Sequence, residues 1–110
     1  MTTAFVTHSD CLLHDMGAHH PEQPARLKAV EDQLIASGLI DHLRYVEAPL
    51  VPREDLERVH TKRYIDALED AAPVTGLTHL DPDTAMNPHT LAAARRAAGA
   101  GIAATDMVIR

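Results

Sequence analysis

The segment that most constrains this chain runs from His14 to Leu27 and reads His-Asp-Met-Gly-Ala-His-His-Pro-Glu-Gln-Pro-Ala-Arg-Leu. It holds three histidines, two carboxylates, two prolines and an arginine, a mixture that no hydrophobic core requires. Proline fixes its own φ and disfavours helix at the residue before it, so His20 and Gln23 are expected to be extended. The segment is therefore predicted to be a shaped loop whose side chains are candidates for a functional site.

Length and charge limit the classes of protein to consider. The 110 residues have room for one small domain, and a domain of this size buries about 60 to 70% of the surface of its unfolded chain. Hydrophobic residues make up 45% and charged residues 24%, which are values of globular rather than disordered proteins. The net charge of −6 argues against a nucleic-acid partner, because phosphate binding needs clustered Lys and Arg. An acidic surface suits a cationic partner instead.

A cytoplasmic location is expected from the sequence. Cys11 is the single cysteine, which excludes an intrachain disulfide and fits a reducing compartment. No basic stretch followed by an apolar core opens the sequence, so no secretory signal is expected. The most apolar region, Leu91 to Ile109, contains Arg95, Arg96 and Asp106, and we do not expect it to span a membrane.

The first half is expected to contain two strands and one helix. Thr3 to Thr7 is a short apolar run typical of a parallel sheet, Ser9 to Gln23 is expected to be loop, and Arg44 to Ala48 is a second strand candidate. A helix is expected from Pro24 to Gly38, where glycine ends it. Its apolar stripe consists of Leu27, Val30, Leu34 and Ile35.

The second half is expected to be mainly helical. Arg53 to His60 is predicted to form one or two helical turns, and Thr61 to cap a helix over Lys62 to Ala71. The buried face of that helix is predicted to be Tyr64, Ile65 and Leu68. Ala72 to Met86 is expected to be a loop, because it contains prolines, glycine and polar residues.

A long final helix is expected to start with Asn87 as its N-cap and Pro88 as its first residue, and to run to the last residue. Gly99 and Gly101 in its interior each cost about 1 kcal/mol relative to alanine. Small residues at this spacing predict that a neighbouring element approaches the helix closely.

Three stretches of the sequence resemble a known family. His14-Asp-Met-Gly, followed by His20-Pro-Glu-x-Pro-x-Arg-Leu, looks like the entrance loop of the zinc-dependent histone deacetylase superfamily. Val59-His-Thr-x-x-Tyr-Ile and Leu80-Asp-Pro-Asp-Thr, with the Ala-rich helix after it, look like later segments of the same family. The similarity is nearest to the class II and bacterial amidohydrolase branch, which includes acetylpolyamine deacetylases.

The resemblance implies an α/β, arginase/deacetylase-like parallel-sheet fold, of which residues 1–110 are the N-terminal part of a single domain and therefore incomplete. It implies a zinc-dependent hydrolysis of the amide of acetylated lysine or acetylated polyamine. The family's zinc ligands and catalytic histidine pair lie in later segments that this sequence lacks, so neither a catalytic residue nor a metal ligand is assigned here. His19-His20 belongs to the entrance loop and is not that pair.

The residues that the resemblance does transfer line the substrate site. Asp83 matches the rim carboxylate that accepts hydrogen bonds from the substrate backbone, with Asp81 as the fallback because the register is ambiguous. Arg26 matches an arginine that lines a channel below the active site, although a solvated residue in the first helical turn is the simpler interpretation. The mouth of the pocket is expected to be shaped by His20, Pro21 and Glu22. His19 stands where the family usually has glycine.

Two alternatives stay open at this point. A small zinc site could be built from His8, Cys11, His14 and His20, whose residue types suit zinc. The chain could also be a non-catalytic remnant or interaction module that binds no metal. For the deacetylase interpretation, activity would require association with the missing C-terminal portion, and a homo-oligomer is left open as well.

Overall fold

Two parallel strands joined by a helix form the first part of the fold. In the computed structural model, which describes residues 2–109, β1 (Thr3–Thr7) pairs in parallel with β2 (Leu43–Glu47), with Thr3 opposite Leu43 and Thr7 opposite Glu47. Helix α1 (Pro24–Ala36) lies between them in the sequence, as a parallel pair requires a crossover connection. The predicted α/β class with a parallel sheet is confirmed.

The ends of α1 follow the local chemistry of the sequence. Gln23 is extended, with φ −148° and ψ 156°, and Pro24 is the first helical residue. Past the other end, Gly38 has a φ of +79° and leads into a short 3-10 turn, Leu39–His42. The apolar stripe of α1 is only partly covered, because Val30 and Ile35 are about half exposed.

The segment after β1 is not wholly loop. Ser9–Leu12 forms a 3-10 turn, in which the His8 Nδ1 accepts a hydrogen bond from the Asp10 N–H at 3.0 Å. The prediction of loop from Ser9 onward was therefore wrong for its first four residues, because the histidine side chain caps this turn.

Helices α2 (Arg53–Leu56) and α3 (Lys62–Ala71) are held together by one arginine. The Arg53 guanidinium bonds to Glu57 at 3.0 Å, to Asp66 at 2.6 Å and to Glu69 at 3.2 Å. The Thr61 hydroxyl accepts a hydrogen bond from the Tyr64 N–H at 3.1 Å, so the predicted cap of α3 is confirmed.

The predicted buried face of α3 is correct in part. Ile65 is buried and Leu68 is half-buried, but Tyr64 is about half exposed. The Tyr64 ring lies instead beside the His60 ring, with 5.2 Å between ring centroids. A phenol tolerates this position because its hydroxyl is satisfied by solvent.

The segment predicted as loop between α3 and the last helix contains a β-hairpin. Strands β3 (Thr78–Asp81) and β4 (Thr84–Met86) are antiparallel, with Thr78 opposite Met86. Pro82 and Asp83 form the turn, a residue pair that suits the two central positions of a tight turn. Ala85 and Met86 are buried, so the packing of their side chains stabilises this short strand.

Helix α4 (Thr90–Ile109) packs on the start of the chain and on the residues after β2. It begins at Thr90 rather than Pro88, because the Asn87 Oδ1 accepts from the His89 N–H at 2.9 Å and holds that stretch as a turn. A side chain at Gly99 would overlap the carbonyl oxygen of Pro49, whereas Gly101 has open space around it. The predicted close approach is therefore correct for Gly99 and wrong for Gly101.

The core is small and lies where α4, the hairpin and α3 meet the loop after β2, residues 48–52. Its buried apolar residues are Ala48, Val51, Ile65, Ala85, Met86 and Ala93. Arg96 of α4 anchors this region by donating to the Ala48 carbonyl at 3.1 Å and to the Asp10 carboxylate at 2.9 Å. None of the helices within residues 2–109 is both long enough and apolar enough to cross a membrane.

Candidate functional site

The entrance loop, residues 13 to 23, lies along the hairpin and the start of α4. Hydrogen bonds that join them include Asn87 Nδ2 to the Leu13 carbonyl (2.7 Å), His14 Nδ1 with Thr90 Oγ1 (2.7 Å), and the Ala85 N–H to Met16 Sδ (3.3 Å). The loop therefore runs antiparallel to the chain of residues 83 to 90. Sequence reasoning missed these contacts, since nothing local connects residues about seventy positions apart.

The loop is also shaped by turns within itself. The Asp15 carboxylate accepts a hydrogen bond from the Gly17 N–H at 2.9 Å, and the Gly17 carbonyl accepts one from the His20 N–H at 3.3 Å. Gly17 has a φ of +115°, a backbone conformation that side chains strongly disfavour. These turns present His20 toward the hairpin.

His20 connects the entrance loop to the tip of the hairpin. Its Nδ1 lies 3.0 Å from the Glu22 N–H, which can only donate, so Nδ1 carries no proton. The proton therefore lies on Nε2, which donates to the Asp83 carbonyl at 2.9 Å and to the Asp83 Oδ1 at 3.1 Å. Of the predicted site residues, His20 and Asp83 are thus brought together across 63 positions of sequence.

The two candidate rim carboxylates have different surroundings. The Asp81 Oδ1 accepts the Asp83 N–H at 2.8 Å and so closes the hairpin turn. The Asp83 side chain is 93% exposed and extends beyond the turn. The Asp81 carboxylate thus supports the turn and the Asp83 carboxylate projects from it, and the choice of Asp83 as the rim carboxylate stays a prediction.

Glu22 and Arg26 form an ion pair beside this site. The Arg26 Nη2 lies 3.3 Å from the Glu22 Oε1, and both side chains are about half exposed. Pro21, between His20 and Glu22, is exposed as well. Arg26 lies in the first turn of α1, where the sequence places it, and its assignment to a channel stays a prediction.

The alternative zinc site is not formed. The Cys11 Sγ points at the Ala93 carbonyl at 3.8 Å, while His8, His14 and His20 bond to separate groups. Burial raises the pKa of the Cys11 thiol, Asp10 raises it further, and Arg96 opposes them, so the thiolate that zinc requires is disfavoured. Within residues 2–109 no three His, Cys, Asp or Glu side chains are placed to hold a metal ion.

Comparison with known proteins gives consistent matches. A sequence model of the histone deacetylase domain matches residues 20–110. The histone deacetylase-like amidohydrolase of Pseudomonas aeruginosa is 33% identical over an alignment that covers 97% of this chain and 32% of that protein. The polyamine deacetylase HDAC10 of Homo sapiens is 32% identical, with 99% of this chain and 18% of that protein covered.

A solved structure agrees with the sequence matches. The crystal structure of the HDA15 HD domain superimposes with a TM-score of 0.78 at 28% identity, covering 89% of this chain and 29% of that one. The chain thus spans about a third of the length of the amidohydrolase and less than a fifth of that of HDAC10.

Proposed function

The chain belongs to the histone deacetylase family and has the fold of part of its domain, and on that premise we propose that it forms the substrate entrance of a zinc-dependent deacetylase. The substrate class is an acetylated lysine side chain or an acetylated polyamine. The observation that carries the proposal is the exposed Asp83 carboxylate, presented at a hairpin tip and held there by His20 of the entrance loop.

Each site residue has a role in binding rather than in bond cleavage. Asp83 accepts hydrogen bonds from N–H groups of the substrate, which is a charge-assisted interaction. The walls of the mouth are formed by His20, Pro21 and Glu22. Arg26 lines the channel below, and the carboxylates of Asp83 and Asp81 favour substrates with positive charge near the acetylated nitrogen.

Zinc does not fit the residues that the structure describes. No set of three suitable ligands is formed between residues 2 and 109, and burial with the Asp10 carboxylate raises the pKa of the Cys11 thiol, which disfavours the thiolate that zinc binds. We therefore assign zinc, which the family resemblance implies, to polypeptide other than these residues, and we assign no step of hydrolysis to this chain. We propose a cytoplasmic location only because a single cysteine fits a reducing compartment.

Association with further polypeptide is supported by the surface. Val59, Val74 and Val108 are 80%, 91% and 84% exposed, and within residues 2–109 the parallel sheet has only two strands. Parallel sheets normally have both faces covered and extend further. The same surface supports the second candidate function, a non-catalytic interaction module or a homo-oligomer.

A chimeric enzyme separates the two functions. The aligned segment of the Pseudomonas amidohydrolase is replaced by this chain, and the purified chimera is assayed on acetyl-lysine and acetylpolyamine substrates beside the parent enzyme. The proposed function predicts deacetylation together with stoichiometric zinc. A folded, zinc-loaded chimera without activity on either substrate would favour the non-catalytic module.

A further inference from the structure

We propose that His20 is a positioning residue that fixes the Asp83 carboxylate for substrate binding. The inference rests on the proposed function, because it concerns the same carboxylate. His20 is suited to the task because both ring nitrogens have defined partners: Nδ1 accepts from the Glu22 N–H, and Nε2 donates to Asp83. The ring therefore connects the backbone of the loop to the hairpin tip.

The Nε2 proton holds two atoms of Asp83 at once. It lies between the carbonyl oxygen, at 2.9 Å, and the carboxylate Oδ1, at 3.1 Å, and so fixes the side chain relative to its own backbone. An aspartate that is 93% exposed would otherwise sample several rotamers. Holding one carboxylate oxygen in advance lowers the entropy that substrate binding must overcome, and the exposed side chain leaves its other oxygen free to accept from the substrate.

The position of His20 explains why this bond can form. The His20 side chain is only 21% exposed, so it is more restricted than the aspartate that it holds. The turn from Gly17 to His20 and the bond from the Glu22 N–H orient the ring before Asp83 is reached. The loop therefore fixes the orientation of the imidazole, and the imidazole fixes the orientation of the Asp83 carboxylate.

Two substitutions separate positioning from loop structure. In His20→Asn the amide oxygen replaces Nδ1 and still accepts from the Glu22 N–H, but the side chain is too short to reach Asp83. In His20→Gln the longer amide donates to Asp83 as Nε2 does, and only the acceptor for the Glu22 N–H is lost. His20→Asn should therefore lose the restraint on Asp83 with the loop intact, and His20→Gln should restore it.

The geometric part is tested on the 110-residue chain itself. Nitrogen-15 NMR of the imidazole is expected to show the Nε2–H tautomer, and the carbon-13 signal of the Asp83 carboxyl is expected to move in His20→Asn and to return in His20→Gln. An Nδ1–H tautomer, or an Asp83 carboxyl signal that is unchanged in both variants, would overturn the proposal. This result does not depend on whether the chimera is active.

The functional part is tested in the chimera. His20→Asn is expected to raise KM about three- to tenfold with kcat within about twofold, because binding must then order one more side chain. It is expected to add nothing in an Asp83→Ala background. Equal effects of His20→Asn with and without Asp83 would refute positioning, whereas an inactive parent chimera with the expected NMR would count against the proposed function alone.

Discussion

At the scale of single residues, Asp81 and Asp83 show how two carboxylates two positions apart take different roles. One accepts the N–H that closes the hairpin turn, and the other extends into solvent beside His20. Both follow from the geometry of a tight turn, in which an aspartate at the first position bonds the backbone two residues later. The turn therefore gives the two carboxylates different surroundings, and the assignment of Asp83 to the substrate rim stays a prediction.

We predict that Asp81→Ala lowers the free energy of unfolding by about 1 kcal/mol, because the Asp83 N–H loses its acceptor. Asp81→Asn keeps an oxygen in place and is the matched control. Asp83→Ala should change stability by less than about 0.5 kcal/mol, since its side chain is exposed. Urea unfolding of the three variants measures this, and a larger loss for Asp83→Ala than for Asp81→Ala would reverse the assignment.

The Cys11 thiol gives a prediction with a defined dependence on pH. Burial and the Asp10 carboxylate raise its pKa, with Arg96 acting in the opposite direction. Alkylation by iodoacetamide requires the thiolate, so its rate should rise with pH around a midpoint above that of a free thiol, about 8.5. Because the pKa of Cys11 is higher in the folded than in the unfolded chain, its protonation stabilises the fold. That stabilisation is complete below the pKa of the unfolded thiol and is lost as the pH rises through the pKa of the folded one.

The control for Cys11 is Asp10→Asn, which removes one cause of the raised pKa and releases Arg96 from its ion pair. The midpoint of the alkylation profile should then move to lower pH. A wild-type midpoint at or below that of the free thiol would show that the described environment of Cys11 is incorrect.

Residue features with local causes were predictable. Thr61 as a cap, Gln23 as an extended residue before proline and Gly38 at the end of α1 all depend on neighbours a few positions away. The bond between His20 and Asp83 depends on a loop and a hairpin that meet only in the folded chain. No spacing rule in the sequence connects them, so both residues were expected at the mouth, but not in contact.

At the scale of elements, α4 shows what a glycine in a helix can indicate. Gly99 is buried against the backbone at Pro49, where a methyl group would overlap the carbonyl oxygen. Gly101 is exposed and has nothing within 4 Å of the position a Cβ would take. The sequence pattern cannot separate the two, because the difference lies in the loop that crosses the helix.

The two glycines form a matched pair for mutation. Gly99→Ala should lower the free energy of unfolding by about 1 to 3 kcal/mol, because the overlap is with backbone that must shift. Gly101→Ala should raise it by up to about 1 kcal/mol, because alanine favours helix. Thermal unfolding of both variants tests this, and equal effects would show that α4 does not pack on the loop after β2 as described.

The hairpin is the element that sequence reasoning missed. Prolines, glycine and polar residues indicated a loop over residues 72 to 86, and strands of four and three residues give little periodicity. The Asp81-Pro-Asp sequence was the available signal, since it is typical of a tight turn between two short strands. The hairpin is the element that presents Asp83, the predicted rim carboxylate.

At the scale of the whole molecule, the fold positions its candidate site where three parts of the chain meet. The entrance loop follows β1, the hairpin follows α3, and the start of α4 receives both. The class of this architecture was predictable from short apolar strands and helical stripes, together with the family resemblance. The contact between the entrance loop, the hairpin and α4 was not predictable, because it depends on side-chain hydrogen bonds between distant positions.

We propose above all that Asp83 is the substrate-binding carboxylate of a deacetylase entrance, and one ratio tests this most directly. We would measure kcat/KM for an acetyl-lysine peptide in the chimera with Asp83 and with Asp83→Ala, using Asp81→Asn as control. Loss of a charge-assisted hydrogen bond predicts about a 10- to 150-fold decrease for Asp83→Ala with unchanged zinc content, and little change for the control. An unchanged kcat/KM in Asp83→Ala would contradict the claim.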